Sequence, residues 1–158
     1  MYPVDKKRLC GISFPYNKKY PYTKFFKSIG LAGKPHLGVD IAPYYQYKDD
    51  TFLIIAPVKG EVVYAGNNKA MGNMIAILFT EGDIQMLHIL CHLSSIKSDV
   101  KKGVGVEKGS TLGVMGSTGN STATHLHYQV EIPGNNPTPT HWWIEGNWQT
   151  IDPKKFLT

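Results

Sequence analysis

The sequence predicts an all-β fold, or one that is nearly all-β. Short runs of β-branched and aromatic residues recur along the chain, and clusters of glycine, proline and asparagine separate them, as is typical of strands and turns. No stretch carries apolar residues at helical spacing over the length of a long helix. There is no internal repeat and no linker, so the 158 residues suit one domain that can bury a real core.

Residues 1–34 predict an irregular N-terminal arm packed on the domain. They are rich in tyrosine, proline, lysine and glycine, and prolines follow both Phe14 and Tyr20. One short helical turn is expected at residues 23–29. The tyrosines of the arm either pack on the sheet or border a groove, and packing is the favoured interpretation. Residues 35–158 form the domain proper.

Two hairpins are predicted in the first part of this domain. The β-branched runs 52–57 and 60–65 are split by two residues and are expected to pair with each other. Residues 73–79 and 84–93 form the second hairpin, which presents His92 near its end.

The last third of the chain predicts two strands around a glycine-rich loop. The strands are expected at 111–115 and 125–132, with the loop at 116–124 between them. Residues 151–157 should lie back on the sheet. Segment 142–148, which holds the three tryptophans of the chain, is expected to border a groove or to cap the sheet.

Histidines cluster on these strands and at their ends. On a strand, side chains at i and i+2 point to the same face, so His125 and His127 project together. Neutral imidazole is a strong zinc ligand, but two unrelated histidines in one strand are commoner than a metal site, so the pair alone is a weak signal. His36 and Asp40 add a nitrogen and an oxygen donor four residues apart. Together with one histidine of the pair, they would make a three-ligand site with an open position, as in catalytic zinc centres.

Three motifs resemble the signatures of the lysostaphin/LytM-type zinc metallopeptidases. They are His36-x-x-x-Asp40, His92-Leu-Ser and His125-Leu-His127, the last led by Gly116-Ser-Thr-Gly, and they occur in the order of the family. The resemblance runs from about residue 35 to residue 132. Gln129 stands where the family often has Glu and Cys91 where a small Ala is usual, and neither position carries a ligand role.

The resemblance implies an antiparallel β-sheet with a substrate groove and one zinc ion per chain. It assigns His36, Asp40 and His127 as zinc ligands, and His92 and His125 as catalytic imidazoles. His125 is the better candidate for the general base and His92 for the donor on the oxyanion side, because an imidazole titrates near neutrality. The implied activity is hydrolysis of peptide bonds in bacterial peptidoglycan, in a cross-bridge or a stem peptide. Which bond is cut does not follow from the sequence.

Composition restricts the partners and the location. The net charge is +5, and the basic residues are scattered in pairs rather than gathered into a nucleic-acid patch, so we expect no nucleic-acid partner. No apolar run approaches the roughly 18 residues of a membrane span. The N-terminus lacks the apolar core of a signal peptide. We therefore expect a monomeric phage endolysin or tail-associated lysin, made in the host cytoplasm and brought to the wall through a holin or on the virion.

The sequence leaves two alternative functions open. The first alternative is a catalytically inactive LytM-type domain that binds and regulates a cell-wall hydrolase; such domains typically lack ligands that this chain retains. The second is a basic β-barrel that binds nucleic acid, which leaves the histidine clusters unexplained.

His88 shares a face with His92 if their strand is regular, and we expect it to line the groove or to be merely polar. Cys10 and Cys91 are expected to be free thiols, with Cys91 buried.

Overall fold

The structure, a computed structural model, describes residues 1–134 and 144–157. These residues form strands, one short α-helix and three 3₁₀ turns. The strands are β1 (Cys10–Phe14), β2 (Val39–Pro43), β3 (Leu53–Ile55), β4 (Gly60–Asn68), β5 (Gly72–Glu81), β6 (Ile84–Leu93), β7 (Ser95–Ile96), β8 (Gly105–Val106), β9 (Thr111–Val114), β10 (Leu126–Pro133) and β11 (Trp148–Ile151). The helix α1 spans Lys24–Ser28, and the 3₁₀ turns are Lys7–Leu9, Tyr45–Tyr47 and Pro153–Phe156.

The strands form two antiparallel sheets. The large sheet has the order β1-β2-β10-β6-β5-β4-β8, and β11 pairs with the far end of β10. The small sheet has the order β3-β9-β7. With α1 only five residues long, the nearly all-β antiparallel prediction is confirmed.

The large sheet buries both of its faces. Residues directly opposite each other in a ladder point to the same face. One face carries Leu90, Tyr128 and Val130 and packs on the small sheet in a core that includes Ile54 and Leu112. The other face carries the smaller apolar cluster of Met74, Ala76, Leu87, Ile89, Cys91 and Trp148. His127, Gln129 and Glu131 lie on this second face, because they stand opposite Cys91, Ile89 and Leu87 in the β10–β6 ladder.

The predicted first hairpin is wrong in its pairing. β3 pairs with β9 in the small sheet, whereas β4 pairs with β5 and β8 in the large one. Pro57, between β3 and β4, has no N–H to donate to a ladder, so the chain leaves one sheet here and enters the other. The second predicted hairpin is confirmed as β5 and β6, with eight register pairs.

The N-terminal residues are more regular than an irregular arm. β1 pairs with β2 at the edge of the large sheet, and Val4, which bridges to Ile54, is 2% exposed in the main core. The helical turn expected at residues 23–29 is present as α1, where the Thr23 side chain accepts a hydrogen bond from the backbone N–H of Phe26. This segment therefore contributes a strand and core side chains to the sheet.

A β-bulge in β6 separates His88 from His92. Asn73 pairs with Leu93 and Ile75 with Leu90, so Cys91 and His92 together oppose one residue of β5. His92 adopts φ +66°, which is unusual for a residue with a side chain. The bulge turns His92 to the face that carries His127, while His88 stays on the opposite face. The expectation that the two histidines share a face is wrong because the strand is not regular.

His88 is fully buried and does not line a groove, so the merely polar role is the one of its two expected roles that remains. Its Nδ1 lies 2.7 Å from the Tyr128 hydroxyl, and its ring packs against Phe156. Among residues 1–134 and 144–157, no hydrogen-bond partner meets its Nε2. Burial, reinforced by the charge of the N-terminal ammonium group, lowers the pKa of His88 to about 4.

The C-terminal residues return to the sheet as expected. β11 continues the ladder along β10, and Trp148 is 7% exposed in the second apolar cluster. Trp142 and Trp143 lie outside the described residues. The groove-or-cap prediction for segment 142–148 is therefore tested only over residues 144–148, where Ile144 and Trp148 pack in the second apolar cluster.

Cys91 is buried, as expected, and so is Cys10. The two thiols are free. Within the described ranges, no helix has the length and apolar character that crossing a membrane requires.

Protonation of His88 should destabilise the fold in mild acid. Its folded pKa lies below the value of about 6.5 for the unfolded chain, so the unfolded state binds the proton more tightly. The contribution of neutral His88 to the free energy of unfolding has its full value above pH 6.5. It decreases by up to about 3 kcal/mol as the pH drops towards 4. Urea unfolding of the chelator-treated protein at pH 7.5 and pH 5 measures this loss. His88→Leu should flatten the pH dependence, whereas Leu90→Ala, on the same face of β6, should lower stability equally at both pH values. Equal pH slopes for His88→Leu and the parent protein would contradict this role.

Candidate metal centre

His36, Asp40 and His127 converge at the junction of β2 and β10. Asp40 stands directly opposite His127 in the ladder, and His36 lies in the extended segment that leads into β2. His36 Nε2 is 3.0 Å from His127 Nδ1 and 3.1 Å from Asp40 Oδ1. His127 Nδ1 is 3.1 Å from the same carboxylate oxygen. The structure thus brings together the three residues that the sequence predicts as a ligand set.

In each histidine of the triad, the inner nitrogen is the one near the other two residues, and the outer nitrogen is the other ring nitrogen. Hydrogen bonds at the outer nitrogens determine whether the inner nitrogens carry a proton. His36 Nδ1 lies 3.2 Å from the carbonyl oxygen of Pro15, which can only accept a hydrogen bond. His127 Nε2 lies 3.1 Å from Oε1 of Gln129. Both outer nitrogens therefore donate a proton. His36 Nε2 and His127 Nδ1 are left free to present lone pairs to a cation.

The three inner atoms fit a metal ion. Lone pairs 3.0–3.1 Å apart repel each other unless a cation, either a shared proton or a metal ion, lies between them. Zinc bound tetrahedrally at about 2.0–2.1 Å keeps its ligand atoms roughly 3.3 Å apart, which is close to the observed triangle. Two imidazoles and one carboxylate are also a donor set that zinc accepts, and three ligands leave one position open.

The electrostatics of the triad are those of a cation site. Burial acts to raise the pKa of Asp40, but its hydrogen bonds with His127 and His36 outweigh burial and hold that pKa well below the ordinary value. Burial acts to lower the pKa of His127, but the hydrogen bond and charge of Asp40 raise it. A permanent negative charge therefore faces the two inner nitrogens.

Residues from the N-terminal segment hold His36 in place. Its ring is fully buried, with centroids 5.0 Å from Phe14 and 5.3 Å from Tyr20. Pro15 supplies the carbonyl that accepts its Nδ1–H. Since Phe14 ends β1, the pairing of β1 with β2 sets the position of one member of the triad.

His125 and His92 lie beside the triad on the same face of the sheet. Their ring centroids are 4.7 Å apart, and the centroids of His92 and His127 are 6.0 Å apart. His125 Nε2 lies 3.7 Å from Asp40 Oδ1. The bulge in β6 is what aims His92 at this group. His125 precedes β10 and forms a bridge with Gly116, so the strand begins one residue later than predicted.

The ring protons of these two histidines also lie on the side away from the triad. His125 Nδ1 is 2.8 Å from the carbonyl oxygen of Ala123, and His92 Nδ1 is 2.8 Å from that of Thr118. Each Nε2 is therefore free to accept a proton. Burial lowers the pKa of His125, and it lowers the pKa of His92 to about 4, so both rings are neutral at pH 7. Two neutral imidazoles beside a cation site can take up a proton and then return it.

Two cavities flank the centre and form a groove. One has a volume of about 290 Å³ and is bordered by Phe14, Phe25 and Phe26 on one side and by residues 120–125 on the other. The second, of about 400 Å³, is more apolar and is lined by residues that include Ile29, Leu31 and Met71. Tyr20 borders both. The N-terminal segment therefore forms a wall of the groove through Tyr20, while its Tyr2 and Tyr16 pack against the core, as the favoured interpretation expected.

Sequence reasoning missed the buried polar side chains behind the triad. Gln129 and Glu131 are 1% and 0% exposed and continue the row of His127 along one face of β10. The signal available in the sequence was an alternation along the strand, in which these three polar residues occupy every second position and apolar residues lie between them. Gln129 was given no ligand role, and it lies behind His127 instead, as the acceptor of its ring proton.

Comparison with known proteins matches most of this chain to a family of peptidases. The profile of Peptidase family M23 matches residues 34–139, which include the triad and both additional histidines. The DD-endopeptidase ShyA of Vibrio cholerae, a peptidoglycan endopeptidase by name, is 34% identical over 138 residues, or 84% of this chain and 27% of ShyA. The murein hydrolase activator NlpD of Escherichia coli is 30% identical over 120 residues, or 75% of this chain and 29% of NlpD. The chain thus spans only about a quarter of these curated relatives.

The fold agrees with a solved catalytic domain. The catalytic domain of the antimicrobial peptidase lysostaphin from Staphylococcus simulans superimposes with a TM-score of 0.65 at 27% sequence identity. The match covers 94% of this chain and 90% of that domain.

Gly38 tests how tightly the triad is packed. A Cβ atom at residue 38 would lie 2.5 Å from the Tyr128 carbonyl oxygen and 2.9 Å from atoms of the His127 ring. Gly38→Ala should therefore displace His127 and weaken zinc binding at least about tenfold, as measured by chelator competition. Gly105→Ala is the control, because a Cβ there meets nothing within 4 Å. If Gly38→Ala binds zinc as tightly as the control, the triad is not held by this contact.

Proposed function

This chain belongs to peptidase family M23, and from that premise we propose that it is a zinc-dependent endopeptidase that hydrolyses peptide bonds in bacterial peptidoglycan. The observation that carries the proposal is the convergence of five side chains in one groove. His36, Asp40 and His127 form a three-donor metal site, and His92 and His125 add two neutral imidazoles beside it. The implied ligands and catalytic residues are thus adjacent in space although they are distant in sequence.

His36, Asp40 and His127 would hold the zinc ion. The chemistry that zinc supplies in such sites is Lewis acidity, which polarises a carbonyl oxygen and lowers the pKa of water to about 7. The protein keeps two of these ligands fixed, His36 through the Pro15 carbonyl and His127 through Gln129.

His125 is assigned as the general base. Its Nδ1–H is committed to the Ala123 carbonyl, so the free Nε2 faces the triad and can accept a proton from the attacking water. Once protonated, the same nitrogen can donate to the leaving amine. His125 is 16% exposed, which leaves it in contact with the groove.

His92 is assigned to the oxyanion side. The transition state of peptide hydrolysis develops negative charge on the carbonyl oxygen, and a positioned donor stabilises it. The bulge and the bond to the Thr118 carbonyl hold His92 with its Nε2 towards His125 and the centre. Burial keeps this ring neutral before the reaction, so it can donate only after it takes up a proton.

The groove supports a peptide as the substrate. His92 and His127 line both cavities, so a peptide bound at the centre can place residues in each of them. Peptidoglycan is proposed because the name of ShyA refers to a peptidoglycan endopeptidase. The bond that is cut, the monomeric state, the lysin role and the route to the wall remain predictions, and mass spectrometry of digested, defined muropeptides would identify the bond.

A regulatory domain is the second candidate, because NlpD is by name a hydrolase activator. In that case the groove would bind a partner and the chain would cleave nothing by itself. The presence of all five site residues in one constellation supports the enzyme instead.

Purified protein should clear suspensions of bacterial cell walls, and excess chelator should abolish the clearing. Zinc added back should restore it, because the triad is proposed to bind the ion reversibly. Clearing that continues in excess chelator would overturn the metal mechanism. Zinc binding without any clearing, combined with stimulation of another hydrolase, would favour the regulator.

His125 and His127 should differ in what their loss removes. His127→Ala removes a ligand, so zinc affinity and the zinc-dependent gain in melting temperature should both fall steeply. His125→Ala removes a proton acceptor, so turnover should fall by roughly 10²–10⁴-fold while zinc stays bound. Zinc content, melting temperature and clearing rate are measured for both variants. If His125→Ala is the variant that loses zinc, the two roles are reversed.

A further inference from the structure

A buried polar row runs along β10 behind the metal centre. His127, Gln129 and Glu131 occupy alternate positions and point to the same face of the sheet. They are 5%, 1% and 0% exposed. Their neighbours on the adjacent strand, Cys91 and Ile89, are apolar and fully buried or nearly so. Polar groups in such a place require partners, and these three side chains bond to each other.

The hydrogen bonds along the row have one direction. A carboxylate can only accept hydrogen bonds, so the Gln129 amide turns its Nε2 towards Glu131 and donates to Oε1. That orientation leaves Oε1 of Gln129 facing His127 Nε2 at 3.1 Å, where it accepts the ring proton. The inner nitrogen of His127 is consequently the one without a proton, and it is the atom that lies 3.1 Å from Asp40 and 3.0 Å from His36.

The charge of the row also suits a divalent cation. With Asp40 as the only anionic member of the triad, a bound zinc ion would leave the centre with an excess positive charge. A carboxylate at Glu131, two residues beyond Gln129 and fully buried, would supply a second negative charge without occupying a ligand position. The amide between them transmits the polarisation, because hydrogen bonds in a buried chain strengthen one another.

We propose that Glu131 is a positioning residue for the metal centre, which acts through Gln129 to fix the proton of His127 on Nε2 and to hold its Nδ1 open for the ion. The inference rests on the proposed zinc site. It assigns to Gln129 and Glu131 a role in metal affinity that is separate from catalysis, since neither side chain touches the triad's inner atoms.

Substitution of Glu131 by its amide tests the direction of the row. In Glu131→Gln, the amide at 131 can present either its oxygen or its nitrogen, so Gln129 is free to turn over. A reversed Gln129 offers N–H to His127 Nε2, which moves the ring proton to Nδ1 and blocks the ion. Zinc affinity, measured by chelator competition, should fall about tenfold or more.

The double variant Gln129→Glu/Glu131→Gln should rescue binding. Its carboxylate at 129 accepts from His127 Nε2 and from the amide at 131, so both the negative charge and the direction of the row are restored. Ile89→Val is the control, because Ile89 stands opposite Gln129 and its trimming should lower the melting temperature without changing zinc affinity. Unchanged affinity in Glu131→Gln, or a double variant no better than that single variant, would overturn the inference.

A measurement on the unaltered protein tests the direction of the hydrogen bonds even if a variant fails to fold. In the zinc-loaded protein, ¹⁵N-resolved NMR should show a slowly exchanging proton on His127 Nε2 and amide protons of Gln129 close to Glu131. Amide protons of Gln129 that lie next to His127 instead would overturn the proposed direction. If the unaltered protein binds no zinc, the proposed function fails; if it binds zinc and Glu131→Gln binds equally well, only the role of Glu131 fails.

Discussion

The structure depends on a single electrostatic constraint, which is that three lone-pair atoms 3.0–3.1 Å apart must share a cation. Each of them is held in place by a neighbouring part of the fold. The carbonyl of Pro15 orients His36, and the side chain of Gln129 orients His127. Asp40 is positioned by the pairing of β2 with β10, which places it directly opposite His127. The sheet thereby opposes the mutual repulsion of the donors and keeps them in the geometry that a metal ion stabilises.

Local patterns predicted most of the central strands, whereas the members of the site were implied by the resemblance of three motifs to a family. The alternation in β10 and the turn between β5 and β6 are short-range signals, and His36, Asp40 and His127 carry recognisable spacing. The pairing of β3 with β9 rather than β4 could not be read from the sequence, because two apolar runs look alike whichever sheet they join. The bulge in β6 was equally hidden, since one extra residue reverses the face of His92 without altering composition.

The N-terminal segment illustrates a different limit of sequence reasoning. Its prolines and glycines suggested an irregular arm, yet tertiary contacts make β1 an edge strand of the large sheet. The aromatic rings of Phe14 and Tyr20 enclose His36, and further residues of the segment line the groove. The same segment therefore encloses His36 and forms a wall of the groove, so a substitution in this wall also changes the surroundings of His36.

The central position of β10 has a consequence for the order in which the molecule is assembled. β10 lies between β2 and β6, although it is synthesised after both of them. A growing chain can form the β4-β5-β6 meander from local contacts, but β1 and β2 have no place in the large sheet until residues 126–133 emerge. Contacts that span 91 residues, such as His36 with His127, are slow to form because a long loop must close first. The triad of His36, Asp40 and His127 is therefore among the last parts of this domain to fold, because it cannot assemble before β10 has been synthesised.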